Sequence, residues 1–419
     1  MEKIILPENV AHIITLLENA GYEAYVVGGC VRDSVMGFIP HDWDIATSAK
    51  PDEVTKIFAD YKVIPTGIKH GTVTVMIEDD GYEITTFRVD GKYSDGRRPD
   101  DVEYAESLEE DLSRRDFTIN AMAFNPRTGI IDDFGGIDDI RNKVIRCVGN
   151  SYERFKEDAL RILRSIRFAS TLGFELEVYT RNAMLELAYL IKKNVARERI
   201  CAEICKMFDQ EIRTSNKTVQ DFITCLSYVE PALKTADKPL IAERLKRSSP
   251  HREIRLSILF DYDTEKTDWI LNNLRFDNST IRTVHQISEF GHQIYNKHGN
   301  YVDERVYAKN IMQLCGYENA NHAADFAFYY SDDATEMQRI NKLANTMFDI
   351  YINDECYQIC DLDISGNDLI EIGFSGAAIG DCLRTLLDDV ICGKIGNEHN
   401  SLISAAKEYK VEKVIKIIS

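Results

Sequence analysis

The stretch that decides the fold is residues 28–48, which read GGCVRDSVMGFIPHDWDIATS. The hydrophobic residues just before it predict the end of a short buried strand, and Gly28 and Gly29 interrupt that strand with a sharp turn. A helix is expected over 31–36, so that its first amides and Arg32 face a bound phosphate. The stretch therefore predicts a strand, a glycine turn and a helix arranged around an anion.

Two carboxylates, Asp42 and Asp44, follow in the same stretch with one residue between them. If residues 42–46 form a strand, its alternating side chains place both carboxylates on the same face. Neighbouring carboxylates repel each other unless a cation binds between them, and Mg²⁺ prefers carboxylate and phosphate oxygens. A phosphate-binding turn beside an Asp-x-Asp pair therefore predicts nucleotidyl transfer, with Asp42 and Asp44 as metal ligands.

Composition and charge limit the class of protein. The 419 residues are 44% hydrophobic and 28% charged, as in ordinary globular proteins, and this length predicts roughly two to four compact units. No apolar run approaches the ~18 residues of a membrane helix and the N-terminus lacks a signal peptide, so we expect a cytoplasmic protein without a membrane partner. Ten cysteines without a C-x-x-C pair favour reduced thiols over a zinc site.

The charge distribution bears on whether RNA is a partner. The net charge of −19 argues against a nucleic-acid ligand. Basic residues nevertheless gather locally, above all in residues 141–170. An acidic protein with such a basic face can still hold RNA along that face.

The first part of the chain predicts an α+β unit. Strands are expected at 62–65, 72–77 and 82–88, with a hairpin turn at 79–81 and a helix over 52–60. The sheet is expected to be mixed or antiparallel rather than of the Rossmann type, because no helix of usable length separates the last two strands.

Polar residues beyond the glycine turn are further candidates for the site. Glu83, in the second strand of the hairpin, is a candidate third carboxylate beside the Asp-x-Asp pair, and the alternative is an exposed strand residue. After residue 112, polar side chains alternate with large apolar ones, which predicts burial of the polar groups at a ligand that has ribose and phosphate groups. The alternative is a helix cap with surface ion pairs. These side chains belong to Arg114, Arg115, Asp116 and Asn120.

Beyond residue 150 helical periodicity replaces the strand patterns, and a helix is expected over 152–174. Asp158 and Arg161 share a face of this helix, and Glu157 is placed to hold Arg161. A carboxylate accepts a hydrogen bond from the amino group of cytosine or adenine, and a guanidinium donates to their ring nitrogen; uracil and guanine present the opposite pattern. The Asp158–Arg161 pair is therefore expected to bind cytosine and adenine and to reject uracil and guanine. The alternative is that these residues belong to an ordinary surface helix with salt bridges. The same ridge continues in Arg164 and Arg167.

Taken together, these motifs resemble the bacterial class II tRNA nucleotidyltransferases, the CCA-adding enzymes. This family is closely related to the bacterial poly(A) polymerases in the DNA polymerase β superfamily. The resemblance covers residues 24–175, and the remainder is similar only in being helical and of suitable length. The matching motifs are GGCVRD at 28–33, DWD at 42–44, RRDFTINA at 114–121, DFGG at 133–136 and EDALR at 157–161.

The resemblance implies an α+β, polymerase β-like nucleotidyltransferase head followed by an all-helical neck, body and tail, and it leaves the oligomeric state open. It also implies CTP and ATP as substrates, the acceptor arm of tRNA as partner, and Mg²⁺ bound by Asp42 and Asp44. The domains are then head 1–148, neck 149–215, body 216–310 and tail 311–419. The residues that match nucleotide-binding positions of the family are Gly29, Arg32, Arg115, Asp158, Arg161, Arg164 and Arg167. Gly28, Asp116 and Asn120 are further nucleotide-binding candidates because of their place in the glycine turn and in the polar stretch after residue 112.

Other functions stay open at this point. Within the family, the head motifs fit equally a poly(A) polymerase or an enzyme that adds only CC or only A. Residues 90–101 predict a mobile loop and match the full-length flexible loop that CC-only enzymes lack. A non-catalytic RNA-binding scaffold would retain the fold, but intact Asp42, Asp44 and Arg32 argue against it. A nucleotidyltransferase acting on a small molecule would not need the long helical half.

Overall fold

A computed structural model of the chain describes residues 4–68, 71–90, 102–261, 264–297 and 303–418. The chain divides into two compact units, Met1–Lys246 and Arg247–Ser419. Most of the predicted mobile loop, residues 91–101, lies outside the described residues. Among the helices described, none combines the length and the apolar character that crossing a membrane requires.

The first unit is built on a mixed sheet. The strands of this unit are β1 Ala24–Val27, β2 Ile45–Thr47, β3 Lys62–Gly67, β4 Thr72–Ile77, β5 Asp80–Thr86, β6 Arg88–Asp90, β7 Val102–Tyr104, β8 Ala123–Asn125, β9 Gly129–Ile131, β10 Val144–Ile145 and β11 Glu175–Leu176. Seven of them form one sheet in the order β3-β4-β5-β2-β1-β8-β9. β2 pairs in parallel with β5, and the other neighbours in this sheet pair antiparallel. The predicted α+β head is confirmed.

Helices make up most of the remaining described chain, as predicted. Those that begin in the first unit are α1 Glu8–Asn19, α2 Gly29–Val35, α3 Pro51–Ile57, α4 Leu108–Ser113, α5 Gly136–Asn142, α6 Ser151–Glu157, α7 Leu160–Leu172, α8 Val178–Leu187, α9 Tyr189–Asn194, α10 Arg197–Phe208, α11 Asn216–Leu226 and α12 Lys238–Arg247. Those of the second unit are α13 Arg252–Leu259, α14 Thr264–Asn273, α15 Asn278–Asn296, α16 Glu304–Tyr330, α17 Ala334–Ile352, α18 Gly366–Glu371, α19 Ala377–Ile391 and α20 His399–Ile418.

The glycine turn differs in detail from the prediction. Gly28 takes a φ of 79°, a conformation that favours glycine, and α2 begins directly at Gly29 rather than at residue 31. β2 begins at Ile45, so Asp42 and Asp44 lie in the segment just before the strand rather than within it. The carbonyl of Asp44 still accepts a hydrogen bond from the N–H of Val27 in β1, at 3.0 Å, which anchors this segment to the sheet.

The hairpin between β4 and β5 turns one residue earlier than predicted. Ile77 pairs with Asp80, so the turn consists of Glu78 and Asp79 alone. Glu78 takes a positive φ of 55°, as the favoured two-residue hairpin turns require. The position of this turn determines which β5 residues face the site described below.

The single helix predicted over 152–174 is in fact two helices. α6 ends at Glu157, α7 begins at Leu160, and Asp158 between them has an extended backbone with φ −139° and ψ 103°. The Oδ1 atom of Asp158 accepts a hydrogen bond at 3.0 Å from the N–H of Leu160. This bond satisfies one of the amides that a helix start leaves without a partner. The residue predicted to contact a base therefore also stabilises the break.

Hydrophobic clusters explain why these elements pack. In the first unit, Val10 and Leu17 of α1 and Val54 of α3 belong to one buried cluster with Val26 and Val75 of the sheet. Because these side chains repeat at helical spacing in α1 and α3 and alternate along the strands, one face of each element is apolar. That buried face positions β1, and the glycine turn follows β1 directly.

The second unit is helical throughout its described part. α15 packs on α16 and α16 packs on α17, and their buried residues form one cluster. A further cluster joins residues of α18, α19 and α20. α16 kinks at Gly316, whose φ is 80°, and it runs through the boundary at 310/311 predicted between body and tail. The division into neck, body and tail stays a prediction.

Gly136, at the start of α5, packs against the short helical segment that carries Asn120. A methyl group at Gly136 would lie well inside contact distance of the backbone oxygen of Thr118 and 3.0 Å from Met122. We expect Gly136→Ala to lower the free energy of unfolding by about 1–3 kcal/mol, because a backbone carbonyl cannot move aside as a side-chain tip can. Urea unfolding followed by circular dichroism measures the change.

The control for this substitution is Gly366→Ala. Its new methyl group would meet Ile379 at 3.4 Å, an ordinary van der Waals distance. The free energy of unfolding should change by less than about 0.5 kcal/mol. Equal losses in the two variants would contradict the steric argument.

Candidate active site

The first unit contains a cavity of about 740 Å³ between the sheet and helices α7 and α10. Thirteen of the predicted site residues line it: Gly28, Gly29, Arg32, Asp42, Asp44, Glu83, Arg114, Arg115, Asp116, Asn120, Asp158, Arg161 and Arg164. Arg167 does not line the cavity. Its guanidinium pairs with Glu203 at 2.6 Å and lies over the ring of Phe168.

The glycine turn allows a guanidinium to lie against the backbone. A Cβ at Gly28 would lie 2.8 Å from Nη1 of Arg115, so a side chain at this position would displace that arginine. Arg32, in the first turn of α2, donates a hydrogen bond from Nη1 to Asn120 Oδ1 at 2.7 Å and pairs with Asp33 at 2.7 Å. Two guanidiniums therefore line the cavity next to the turn, where they can bind an anion.

The carboxylates of Asp42 and Asp44 line the cavity without a hydrogen-bond or ion-pair partner among the described residues. Removal from water raises the pKa of Asp44, the positive charge of Arg115 opposes this rise, and the carboxylate of Asp42 adds to it. Two adjacent carboxylates in this condition repel each other, and a divalent cation would relieve the repulsion. The donor set therefore fits a metal ion held by Asp42 and Asp44.

Glu83 lines the same cavity as an exposed residue of β5, where it pairs with Thr74 across the hairpin. Within the described ranges, no group of three or more His, Cys, Asp or Glu side chains is arranged to hold a metal ion. A third carboxylate ligand at Glu83 stays a prediction.

Asp116 is a buried carboxylate that joins the head to α7. Its Oδ2 accepts a hydrogen bond from Arg164 Nε at 2.8 Å, and its Oδ1 accepts one from Asn120 Nδ2 at 3.2 Å. Burial pushes the pKa of Asp116 upward, but the charge of Arg164 and these hydrogen bonds outweigh burial, so its pKa lies below the ordinary value. Asp116 is therefore an ionised partner of Arg164 at neutral pH.

A second buried carboxylate, Asp111, was not among the predicted residues. Its Oδ1 accepts a hydrogen bond from Arg114 Nη2 at 2.6 Å, and its Oδ2 accepts one from Arg115 Nη2 at 3.1 Å. Burial raises the pKa of Asp111, the two arginines lower it, and the net shift is downward. The signal in the sequence was its helical spacing of three and four residues from the arginines.

Asp158 and Arg161 lie in the cavity that Asp42 and Asp44 also line. Arg161 is 8% exposed, and its Nη1 donates to Glu157 Oε2 at 2.8 Å, as the spacing of these two residues predicted. Its Nη2 donates to a backbone carbonyl of the head at 2.9 Å. The orientation of the guanidinium is therefore determined before a nucleotide binds.

Helix α10 contributes residues that the sequence arguments missed. Arg199 donates hydrogen bonds to both carboxylate oxygens of Asp158, at 2.8 and 3.3 Å, Glu203 pairs with Arg167, and Lys206 lines the cavity. The signal was the spacing of Arg199, Glu203 and Lys206, which places them on one face of a helix. The lining residues outside the prediction are Val27, Ile45, Thr72, Thr85, Arg88, Leu160, Phe168, Arg199 and Lys206.

Arginines and paired aspartates that converge on one cavity above a polymerase β-like sheet define a nucleotidyltransferase. Comparison with known families agrees. The family model described as "Poly A polymerase head domain" matches residues 24–146. The family model described as "tRNA nucleotidyltransferase domain 2" matches residues 254–406.

Individual relatives show which family of nucleotidyltransferases this chain resembles. The CCA-adding enzyme of Ligilactobacillus salivarius is 36% identical over 417 residues, which cover 98% of this chain and 99% of that enzyme. The CCA-adding enzyme of Oceanobacillus iheyensis is 42% identical over 295 residues, or 68% of this chain and 71% of that enzyme. The crystal structure of the Bacillus stearothermophilus CCA-adding enzyme in complex with CTP has a TM-score of 0.78 at 28% identity, covering 98% of this chain and 100% of that chain. The chain belongs to the family of CCA-adding enzymes, whose members are generally metal-dependent.

Replacing Asp116 by asparagine tests the role of its charge in the fold. Asp116→Asn should lower the free energy of unfolding at neutral pH by about 2–3 kcal/mol, because Arg164 loses an ionised acceptor in a largely buried site. A carboxyl whose pKa is lower in the folded state stabilises the fold above its unfolded pKa of about 3.9 and loses that effect as the pH falls through the folded pKa. The deficit should therefore stay constant from about pH 7 to 5 and shrink only below about pH 4.

Urea unfolding of the wild type and the variant over this pH range measures the deficit. Asp60→Asn, at an exposed position outside the cavity, is the control and should show no deficit at any pH. A deficit that already disappears between about pH 7 and 5 would contradict the lowered pKa.

Proposed function

We propose that this chain adds C, C and A to the 3′ end of tRNA, taking them from CTP and ATP without a nucleic-acid template. The observation that carries the proposal is that Asp158 and Arg161 line the same cavity as Asp42 and Asp44. A pair able to read a base and a pair able to hold a metal at the reacting phosphate can then act on one nucleotide. Membership of the CCA-adding family supports the same reaction.

Asp42 and Asp44 are the residues that would hold the metal, for which we propose Mg²⁺. Two carboxylates beside a triphosphate offer the hard oxygen ligands that this ion prefers. When bound, the metal neutralises charge on the phosphates and favours ionisation of the attacking hydroxyl. In the transfer, the 3′-oxygen of the RNA bonds to the α-phosphorus, the bond to the pyrophosphate oxygen breaks, and the hydroxyl proton is released.

The cavity arginines orient the triphosphate. Arg32, Arg115 and Arg164 present guanidinium donors suited to phosphate oxygens, and they stabilise the charge that develops on the departing pyrophosphate. Asp116 and Asn120, between Arg32 and Arg164 in the hydrogen-bond network, are the proposed ribose contacts. Gly28 and Gly29 keep the turn free of side chains, so that the phosphates can approach the backbone.

Base selection falls to Asp158 and Arg161. A carboxylate has about four lone-pair sites, and Asp158 uses three of them to accept from Leu160 and from the two donors of Arg199, so one remains for a base amino group. Arg161 donates to the ring nitrogen beside that amino group. Cytosine and adenine satisfy both groups, whereas uracil and guanine would leave buried groups unpaired, at a cost of about 1–3 kcal/mol each.

The helical part of the chain is the proposed binding surface for tRNA. Residues 254–406 match a domain described for tRNA nucleotidyltransferases, and we propose that the predicted neck, body and tail hold the acceptor arm. Duplex RNA is recognised mainly through its phosphates and its shape, which long helical surfaces can follow. Because the proposed substrate is tRNA, we propose that the chain acts in the cytoplasm.

Incorporation assays with a tRNA transcript that lacks CCA test this function. CTP alone should add two residues, CTP with ATP should complete CCA, and ATP alone should add one residue only to a transcript already ending in CC. Asp42→Ala should reduce incorporation at least about 1000-fold, since a metal contributes several kcal/mol to stabilising the transition state.

The control for this variant is Asp60→Ala, which should retain full activity because Asp60 is exposed and outside the cavity. Undiminished incorporation by Asp42→Ala would show that the metal assignment is wrong. A product of many adenylates from ATP alone would favour a poly(A) polymerase, and absence of pyrophosphate release would favour a scaffold.

Asp158→Asn tests base selection while the start of α7 stays capped, because an asparagine oxygen can still accept the bond from Leu160, although Arg199 loses its ionised partner. We expect the preference for CTP over UTP, measured as the ratio of kcat/KM values, to fall by about 10- to 100-fold. An amide can donate a hydrogen bond where the carboxylate can only accept one. The variant can therefore pair with the oxygen that uracil presents in place of the amino group of cytosine. An unchanged ratio would remove Asp158 from base selection.

A further inference from the structure

Phe168, on α7, lies close to three guanidinium groups. The Cζ atoms of Arg32, Arg164 and Arg167 lie 5.3, 5.4 and 4.0 Å from the centroid of its ring. All three distances fall within the ~6 Å over which the quadrupole of an aromatic ring attracts a cation. The ring also lines the cavity, and Phe117 contacts it edge to face with a centroid separation of 5.8 Å.

The three arginines come from two elements that the chain separates widely. Arg32 belongs to α2, beside the glycine turn, whereas Arg164 and Arg167 belong to α7. Their carboxylate partners also differ, because Arg32 pairs with Asp33 on its own helix and Arg164 pairs with Asp116. The ring of Phe168 contacts guanidiniums of both elements and so links the two.

We propose that Phe168 is the positioning residue for the triphosphate: its ring holds Arg32 and Arg164 together so that both contact the phosphates. The inference rests on the proposed function in one respect, namely that these two arginines bind the incoming nucleotide. Phe168 acts through the guanidiniums rather than by contact with the substrate. Arg167, which lies outside the cavity, contacts the ring from α7, the helix that also carries Arg164.

The chemistry of the ring separates this role from that of an ordinary core residue. Leucine and methionine would fill the apolar space, but neither has the electron-rich face that attracts cations. Without that face, the mutual repulsion of Arg32 and Arg164 favours their separation, and a phosphate ligand must bring them together again. Affinity for the triphosphate should therefore fall, while the rate of transfer from bound nucleotide should change little.

Inorganic tripolyphosphate is the probe, because it has the phosphates without a base or ribose. We expect Phe168→Leu and Phe168→Met to bind it about 5- to 30-fold more weakly than the wild type in titration calorimetry, from two cation–π contacts. Phe168→Tyr retains an aromatic face and should bind within about twofold. In the transfer reaction, the Leu and Met variants should raise KM for CTP by a similar factor and leave kcat unchanged.

Phe155→Leu is the matched control. Phe155 is fully buried on α6 and outside the cavity, so its substitution lowers stability without changing tripolyphosphate affinity. Wild-type affinity in the Leu and Met variants, or a loss in the Tyr variant equal to theirs, would overturn the proposal. If the Tyr variant does not fold, a double-mutant cycle with Arg32→Gln decides: coupling between the two positions supports the proposal, and strict additivity overturns it.

These outcomes are distinguishable from failure of the proposed function. Tripolyphosphate binding needs neither RNA nor a base. A chain that failed to add CCA could therefore still show the dependence on Phe168, and a chain that added CCA normally could lack it.

Discussion

The pairing of arginines with carboxylates is the interaction on which the site depends. Guanidiniums gathered around one cavity repel each other, by about 3 kcal/mol for two unit charges 5 Å apart at an effective dielectric constant of 20. The structure offsets this repulsion with carboxylates that are largely buried: Asp111 pairs with Arg114 and Arg115, Asp116 with Arg164, and Glu157 with Arg161. The cationic lining is therefore stable before any phosphate binds.

This arrangement resolves the conflict between an acidic protein and an anionic ligand. The chain carries a net charge of −19, but the described residues that line the cavity include eight Arg or Lys and five Asp or Glu side chains. Among those five, the carboxylates of Asp42 and Asp44 have no hydrogen-bond or ion-pair partner in the described part of the chain, and they suit a metal ion. The local field at the site, rather than the net charge, determines which ligands the cavity favours.

Short-range patterns in the sequence predicted most of the site. The glycine turn, the Asp-x-Asp pair and the spacing of Glu157 and Arg161 are local, and the structure brings them to one cavity as expected. The break at Asp158 was missed, because a side chain that caps the following helix competes with a continuous helical pattern. Prediction from local sequence patterns fails where a side chain is compatible with two backbone conformations, here a continuous helix and a helix start.

Long-range contacts account for the other differences. Arg199 reaches Asp158 from 41 residues away, which periodicity does not encode. Arg167 continues the ridge of Arg164 in the sequence, but packing of α10 against α7 gives it Glu203 as a partner instead of the cavity. The same packing brings Lys206 to the lining, because it shares a face of α10 with Arg199 and Glu203.

The double use of Asp158 limits how this protein can diverge. One of its oxygens anchors the start of α7, and the same carboxylate faces the cavity. A lineage that replaced this residue by one without a side-chain acceptor for Leu160 would also loosen the helix from which Arg161 and Arg164 project. A change of nucleotide preference at this position therefore either keeps a side chain that accepts the bond from Leu160 or requires a new cap for α7.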